Sequence, residues 1–281
     1  KAAGNETMNA NGDGSNASRH SITVSATERS GYAADYSNFG ASILVTAPAA
    51  AVTTDLTGSR GYASGDYAND FGGTSAATPV VAGVVALMLD AAPGLGWRDV
   101  QSILSYSAGH TGSAIGRGPS SDEVGSWLTM GGHQWNGGGE TYHLSYGFGM
   151  VDAFAAVRMA EVWSRLNGPA DRSANEVHLA SVYNGYNARI ADSDGNDRTA
   201  EGQIGFAVTR DVEIDSVQVT LDITHSYARD LVIFLRSPTG QQITLLNREG
   251  DASTFDHGFE WTFAAGGFRG WSSKGTWKLM F

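Results

Sequence analysis

One serine in this 281-residue chain has surroundings that could make it a nucleophile. Ser75 lies in the stretch Phe71–Gly83, FGGTSAATPVVAG, at the head of an apolar run. The run predicts a helix over Ala76–Ala92, and because Pro79 is tolerated only in a first turn, Ser75 should lie at the helix N-terminus. Free amide protons and the positive helix end favour an oxyanion there. A bare Gly-Thr-Ser would more often be only the cap of a core helix, so the wider sequence has to decide.

The chain changes character near its middle. Up to Leu166, short buried strands alternate with helices, which favours an α/β fold with a parallel sheet. Strands are predicted at 21–26 and 43–47, and further helices at 97–106 and 152–166, the last capped by Asp152. After the turn-rich stretch Asn167–Asn175, β-type runs between turn signals favour an all-β sandwich or jelly roll. We therefore predict one domain at 1–168, a linker at 169–175 and a second domain at 176–281.

Composition argues against several classes of protein. The net charge is −11 and no basic stripe is visible, so a nucleic-acid partner is not expected. Without cysteine the chain can form no disulfide and no Cys-based zinc site, and no organic cofactor is predicted. No run of about 18 apolar residues predicts a membrane span. The residues after Lys1 contain no signal-peptide core, which predicts a mature or truncated N-terminus.

The residues around Ser75 resemble the nucleophile segment of subtilisin-like serine proteases (subtilases). That pattern is Gly-Thr-Ser-x-Ala-x-Pro before a helix, and five positions match it: Gly73, Thr74, Ser75, Ala77 and Pro79. AAGN, at residues 2–5, resembles the family's oxyanion-hole motif, which implies that Asn5 is a side-chain donor beside the Ser75 amide. YSNFG, VTAPA and YGFGMVDAFAAV extend the resemblance over nearly all of residues 1–166. It implies a subtilisin-like α/β catalytic domain that hydrolyses peptide bonds through a serine acyl-enzyme.

The later part of the chain resembles the P domain (P/homo B) of proprotein convertases. The segment VTLDITHSYARDLVIFLRSPTGQQITLL carries the pattern, and GGFRGWSSKGTWKL matches its Gly-x-Trp element. His225 and Asp230 are therefore interpreted as structural residues of the P domain and not as catalytic residues. A subtilase domain followed by a P domain is typical of kexin- and furin-like proteases, which implies a secreted enzyme whose all-β second domain stabilises the first.

A base for Ser75 is missing from the expected place. Subtilases order their triad Asp, His, Ser, with the His in a His-Gly-Thr context. The only histidine before Ser75 is His20, which is not followed by Gly-Thr. Besides His225, no later histidine has a triad-like context either; these are His110, His133, His143, His178 and His257. We expect a C-terminal fragment or nicked product, inactive alone and also truncated in its P domain. Its expected partners are the missing N-terminal catalytic segment, a peptide substrate and a propeptide or chaperone.

Two further features bear on specificity and on calcium. Asp13, in an Asp-Gly pair after Asn5, resembles a specificity-pocket carboxylate that would favour cleavage after basic residues, although an ordinary turn explains it equally well. The pocket-side calcium site of the family is weakened here, because Asn38 replaces an acidic ligand and the preceding loop carries Asn9 and Asn11. A structural calcium loop is a second possibility in ADSDGND, where an Asp-rich turn is the alternative; its ligands would be Asp192, Asp194 and Asp197.

Two classes of function remain open from the sequence. The first is a serine endopeptidase of the kexin-like subtilase type. The second is a non-catalytic chain in which a degenerate subtilase fold and its P domain form a binding or assembly module. Retention of both Ser75 and Asn5 favours the enzyme, because a decayed site has no reason to keep both.

Overall fold

A parallel sheet covered by helices forms the first half of the chain. The computed structural model describes residues 1–130, 140–180, 190, 202–225, 230–248 and 258–281. β1 (Thr23–Thr27) pairs in parallel with β2 (Ile43–Pro48). Bridges from Ala2 to β1 and from Met150 to β2 extend the sheet on both sides. All of β1 is buried, as is usual for a parallel strand covered on both faces.

Three helices cover this sheet where the sequence predicts them. They are α1 (Thr74–Ala91), α2 (Trp97–Ser107) and α3 (Ala153–Asn167). α1 packs against β1, β2 and α3, while α2 packs against β2 and α3. The Asp152 side chain caps α3 by accepting a hydrogen bond from the Ala155 amide at 2.9 Å. α1 begins at Thr74, two residues before the apolar run, so Pro79 is the sixth helical residue and the prediction that it lies in the first turn is wrong. Ser75 is still at the helix N-terminus.

α1 is also the one described helix that meets the length and hydropathy criteria for crossing a membrane. A third of its residues are buried within this chain, on the side that faces β1, β2 and α3. The core helix of an α/β domain satisfies the same criteria, so they are weak evidence for a membrane span.

The second half of the chain is all antiparallel. One sheet has the strand order β10-β9-β12-β7 and a second pairs β11 with β8. Alternate residues point into a common hydrophobic core, as expected for strands with one buried face. The strand bounds are β7 Gln203–Val208, β8 Gln218–Ile223, β9 Val232–Arg236, β10 Gln242–Asn247, β11 Phe259–Ala264 and β12 Gly275–Met280. The predicted architecture, an α/β part followed by an all-β part, is therefore observed.

Two short hairpins were not predicted from the sequence. β5 (Leu128–Thr129) pairs with β6 (Thr141–Tyr142), and β3 (Ala51–Thr54) pairs with β4 (Tyr67–Phe71) directly before α1. The second hairpin exposes several large apolar side chains, so its strands lack the alternation that identifies a half-buried strand; these are Val52, Leu56, Tyr62, Tyr67 and Phe71.

Buried asparagines join the two halves. Asn11 is fully buried, and its side-chain amide both donates to the Ala264 carbonyl at 3.0 Å and accepts from the Ala264 amide at 2.9 Å. Its own carbonyl accepts the indole N–H of Trp261 at 2.7 Å. Asn9 donates to the Leu245 carbonyl at 2.9 Å. These asparagines, which the sequence presents as substitutes for calcium ligands, therefore attach the all-β half of the chain to the α/β half.

A cluster of charged residues forms the other part of this junction. Arg269 is 3% exposed and donates to Gln101 and Ser102 on α2. Arg98 of α2 pairs with Asp215 of the all-β half and with Asp171. Asp171 lies in the predicted linker, so that segment is held against α2 in the structure.

Glu140 makes the stability of the chain depend on pH at this junction. It is 8% exposed, neither carboxylate oxygen has a hydrogen-bond partner among the described residues, and burial raises its pKa to about 8 despite the nearby Arg269. Between about pH 4.5 and 8 the folded chain therefore binds more protons than the unfolded chain, so this residue's contribution to stability is full at low pH and is lost as pH rises.

We expect Glu140→Gln to stabilise the chain at pH 9 by an amount on the order of 2 kcal/mol and to change little at pH 4.5. Urea unfolding of both proteins at the two pH values measures this difference. Glu28→Gln, at an exposed position, is the matched control. An equal effect of Glu140→Gln at both pH values would show that burial of the charge is not the cause.

Candidate active site

Ser75 is the second residue of α1 and is exposed. Its hydroxyl makes no hydrogen bond with any residue that the structure describes, and no described acceptor takes its backbone amide. The following Ala76 and Ala77 are buried and small. An exposed hydroxyl and a free amide therefore meet at the positive end of an 18-residue helix, where developing negative charge is stabilised.

Asn5 lies against the same helix end. Its Oδ1 accepts hydrogen bonds from the Thr74 amide at 2.9 Å and from the Thr74 hydroxyl at 3.0 Å. Both bonds use the oxygen, so the orientation of the amide is fixed and Nδ2 has no partner among the described residues. An amide held in this way has a donor available for an oxyanion beside the Ser75 N–H.

Tyr36, Gly4 and Gly73 hold this arrangement in place. The Gly73 amide donates to the Tyr36 hydroxyl at 3.2 Å, and the Gly4 amide donates to the Thr74 hydroxyl at 3.2 Å. Gly73 has a φ of 80°, and a Cβ there would lie 3.2 Å from Asn5 Oδ1. Gly73 is therefore required both by its backbone conformation and by the close approach of Asn5. The YSNFG motif was the signal for Tyr36, but its role depends on a contact that the sequence does not reveal.

Four of the described histidines have contacts away from Ser75. His143 is fully buried, its Nδ1 accepts from the Ser145 amide at 3.0 Å, and its Nε2 therefore donates to the Gly125 carbonyl at 2.9 Å. Burial lowers the pKa of His143, and both its nitrogens are occupied. His110 packs on Trp127, and His20 packs on Trp97 at the start of α2. His178 contacts Glu176, while His133 and His257 lie outside the described residues.

Asp13 lies in a tight turn that follows Ala10–Gly12. It accepts from the Ser15 amide at 2.8 Å and forms an ion pair with the Lys1 ammonium at 2.8 Å. The bond to Lys1 lowers the pKa of Asp13, and the carboxylate is about half exposed. Asp13 therefore shapes an Asp-Gly turn and pairs with a lysine of the same chain, and its role in specificity stays a prediction.

The Asn38 side chain fixes the conformation of the loop that follows Asn5. Its Oδ1 accepts from the Glu6 and Met8 amides, and its Nδ2 donates to the Ala3 carbonyl and to Glu6. With its oxygen already saturated, Asn38 does not fit a calcium ligand. In the part of the chain that the structure describes, no group of three acidic, His or Cys side chains is placed to hold a metal. Asp192, Asp194 and Asp197 lie outside that part.

Comparison with known proteins agrees with this fold. Residues 1–149, more than half of the chain, match the Subtilase family (peptidase S8), so the chain belongs to the subtilase family. Residues 214–280 match the proprotein convertase P-domain. The predicted combination of a kexin-like subtilase domain and a P domain is thereby confirmed.

Curated relatives cover almost the whole chain. Protease KEX1 of Kluyveromyces lactis is 31% identical over 99% of this chain and 34% of its own length. The Aeromonas extracellular serine protease of Aeromonas sobria is 28% identical over 96% of this chain and 49% of its length. The calcium-dependent protease of Trichormus variabilis is 29% identical over 99% of this chain and 40% of its length. The chain thus spans one third to one half of the length of these three relatives.

A solved structure shows the same fold. The crystal structure of the serine protease of Aeromonas sobria matches with a TM-score of 0.74 and 24% identity, over all of this chain and 57% of that one. The complex of that protease with its chaperone, ORF2, matches with a TM-score of 0.75 and 24% identity over 56% of the protease chain.

Proposed function

We propose that this chain carries the nucleophile half of a secreted, kexin-like serine endopeptidase. The observation that carries the proposal is the free Ser75 hydroxyl and amide at the start of α1, beside an Asn5 amide whose orientation Thr74 fixes. If Ser75 served only to cap the helix, neither its exposure nor the second donor, Asn5, which is distant in the sequence, would be needed. The membership of the subtilase family and its relatives named as serine proteases support the same chemistry.

In the proposed reaction Ser75 attacks the scissile carbonyl carbon. A histidine base takes the Ser75 proton, and the carbonyl oxygen, now negative, accepts hydrogen bonds from the Ser75 amide and Asn5 Nδ2. The C–N bond then breaks, the base returns the proton to the leaving amine, and an ester remains on Ser75. Water, deprotonated by the same base, hydrolyses that ester and restores the serine.

A second polypeptide segment would supply the base and the aspartate that orients it. The described histidines have other contacts, and the side of α1 that faces away from the sheet is apolar and exposed, with Val80, Leu87 and Leu89 at 40–54% exposure. Ala82 and Gly83 lie between them, and space around Gly83 is open. This face is therefore shaped for close packing of another element, and it extends from the helix end that carries Ser75. We propose that a segment with the subtilase Asp and His-Gly-Thr elements packs there.

Asp13 is proposed to bind the basic residue that precedes the cleaved bond. Its carboxylate already holds the Lys1 ammonium at 2.8 Å, so the turn can present it to a cationic side chain. A substrate residue would have to displace Lys1. A dedicated propeptide or chaperone is a further proposed partner, supported by the complex formed by the Aeromonas sobria protease.

Mixing the purified chain with a segment that carries the subtilase Asp and His elements tests the function. We expect the chain alone to leave arginine esters and peptides intact, and the mixture to hydrolyse arginine esters in a manner blocked by a serine-reactive inhibitor. A mixture that forms a stable complex without hydrolysis would instead support the binding or assembly module. Hydrolysis by the chain alone would overturn the split-site proposal.

Replacing Asn5 by alanine should lower kcat of the complemented enzyme about 10²–10³-fold with little change in KM, because the lost donor acts on the transition state. Initial rates with an arginine ester measure both constants. Asn69→Ala, an exposed asparagine on β4, is the control. A rise in KM at constant kcat would show that Asn5 binds substrate rather than the oxyanion.

Calcium is proposed as a structural ion held by Asp192, Asp194 and Asp197, in keeping with the relative named a calcium-dependent protease. Calcium at about 100 times its dissociation constant should stabilise the chain by about 2.7 kcal/mol and raise Tm by several degrees. Thermal unfolding with calcium and with a chelator measures the difference, and Asp194→Asn should remove it. An unchanged Tm would mean that these residues form only an Asp-rich turn.

A further inference from the structure

Asn11, which joins the two halves of the chain, is followed directly by Gly12. In an Asn-Gly pair the backbone nitrogen of the glycine can attack the asparagine side chain, because glycine has no side chain to block the approach. Gly12 is exposed, its φ is not positive, and a Cβ there would meet no atom within 4 Å. Neither packing nor backbone conformation therefore requires glycine at this position, and the pair has the composition of a deamidation site.

The folded chain holds both reacting groups in hydrogen bonds. Asn11 Nδ2 donates to the Ala264 carbonyl at 3.0 Å, and its Oδ1 accepts from the Ala264 amide at 2.9 Å. The Gly12 amide donates to the Asn9 carbonyl at 2.9 Å, so its proton is also engaged. Asn11 is fully buried as well. Its side-chain carbon can therefore reach the Gly12 nitrogen only after these bonds break.

The P domain supplies the contacts that restrain Asn11. Ala264 lies on β11, and the indole of Trp261, on the same strand, donates to the Asn11 carbonyl at 2.7 Å. Asn9 donates to the carbonyl of Leu245 on β10 at 2.9 Å. Because packed elements open as cooperative units, withdrawal of these strands removes the contacts together. What then remains is an Asn-Gly pair in a short turn that water can reach.

We propose that Asn11 is a deamidation site, which the docked P domain keeps unreactive and which reacts when the two halves separate. The Gly12 nitrogen, after losing its proton, forms a bond to the side-chain carbon of Asn11. The bond from that carbon to Nδ2 breaks, and ammonia leaves with the proton that Gly12 lost. Water then adds to one carbonyl of the five-membered imide and opens the ring, which leaves aspartate or isoaspartate at position 11.

Either product prevents the halves from rejoining as before. A carboxylate at position 11 cannot donate to the Ala264 carbonyl, and it would place a charge where the folded chain has a fully buried amide. Isoaspartate also lengthens the backbone by one carbon between two residues of the turn. Separation of the domains, which is reversible until then, becomes permanent after the reaction. This inference is independent of the proposed catalytic role of Ser75.

Incubation of the 281-residue chain at mildly alkaline pH in water enriched in heavy oxygen tests the proposal, because the new carboxylate oxygen comes from water. Peptide mapping by mass spectrometry gives the rate at Asn11. In urea we expect a rate similar to that of the other Asn-Gly pairs, at 136, 167 and 184, and in the folded chain a rate at least about 100-fold lower. Gly12→Ala should slow the reaction in urea about tenfold.

Weakening the junction away from Asn11 tests the role of domain separation. Arg269→Gln removes contacts with Gln101 and Ser102 on α2 and should speed the reaction in the folded chain about tenfold. Arg236→Gln, on β9, removes an arginine that pairs with Gln242 in its own domain, and should change the rate less than about twofold. Trp261→Phe, which removes only the indole donor to Asn11, is a second way to weaken the junction if Arg269→Gln does not fold.

Three results would overturn the proposal. The first is a rate at Asn11 in the folded chain within about threefold of the rate in urea, because docking would then give no protection. The second is an unchanged rate in folded Arg269→Gln and Trp261→Phe when urea unfolding shows that both are destabilised. The third is a deamidated chain, purified by ion exchange, that unfolds at the same urea concentration as the original chain, because the product would then not disturb the junction.

Discussion

Replacing Ser75 by alanine should lower kcat of the complemented enzyme by about six orders of magnitude, while the chain keeps its fold. The side chain is exposed and makes no hydrogen bond within the described structure, so its removal leaves no buried group unsatisfied. The Ser75 amide and Asn5 remain in place, so the small residual rate should come from the oxyanion site alone. Arginine-ester hydrolysis and thermal unfolding measure the two effects on the same samples.

Ser64→Ala provides the matched control, since Ser64 is an exposed serine in the loop between β3 and β4. It should leave both kcat and Tm unchanged. If Ser75→Ala retained more than about one hundredth of the rate, the nucleophile would be another residue, because removal of a triad serine costs far more than this.

Replacing Asn11 by alanine should have the largest effect on stability, a loss of about 2–4 kcal/mol. The substitution removes the fully buried Asn11 side chain that pairs with both the amide and the carbonyl of the half-buried Ala264. It also opens a gap next to the Trp261 indole. Urea unfolding followed by tryptophan fluorescence measures the loss, and since Asn11 joins the two domains, we expect the P domain to separate before the rest unfolds.

Asn69→Ala removes an exposed asparagine on β4 and should stay within about 0.5 kcal/mol of the wild type. Asn11→Asp is a second test, because a carboxylate can accept from the Ala264 amide but would repel its carbonyl. A loss of less than about 0.5 kcal/mol in Asn11→Ala would contradict the account of the domain junction.

Local patterns made most of the fold predictable. α1, α2 and α3 combine apolar periodicity with clear ends, such as the Asp152 cap, and the P-domain strands alternate between exposed and buried residues. The family of the chain and its fold class followed from the Gly-Thr-Ser and P-domain motifs. The β3–β4 hairpin was not predicted because its apolar residues are exposed and do not alternate regularly with polar residues along the strands.

Roles that depend on long-range contacts could not be predicted. Asn9 and Asn11 are separated by more than 230 residues from the backbone groups that they bind, so the sequence offered only their proximity to Asn5. Arg269 and Glu140 likewise acquire their properties from burial at the domain junction. The structure places Ser75 and Asn5 at the start of α1 and Asp13 in a turn, as expected. The chemical roles of these three residues stay predictions.

The most direct test of the split site is to locate a covalent label. The complemented enzyme is treated with a fluorophosphonate, digested and examined by mass spectrometry. We predict one adduct, on Ser75, that forms only when the second segment is present and is absent in Ser75→Ala. A label on any other residue of an active mixture, or full inhibition without a label on Ser75, would contradict the account.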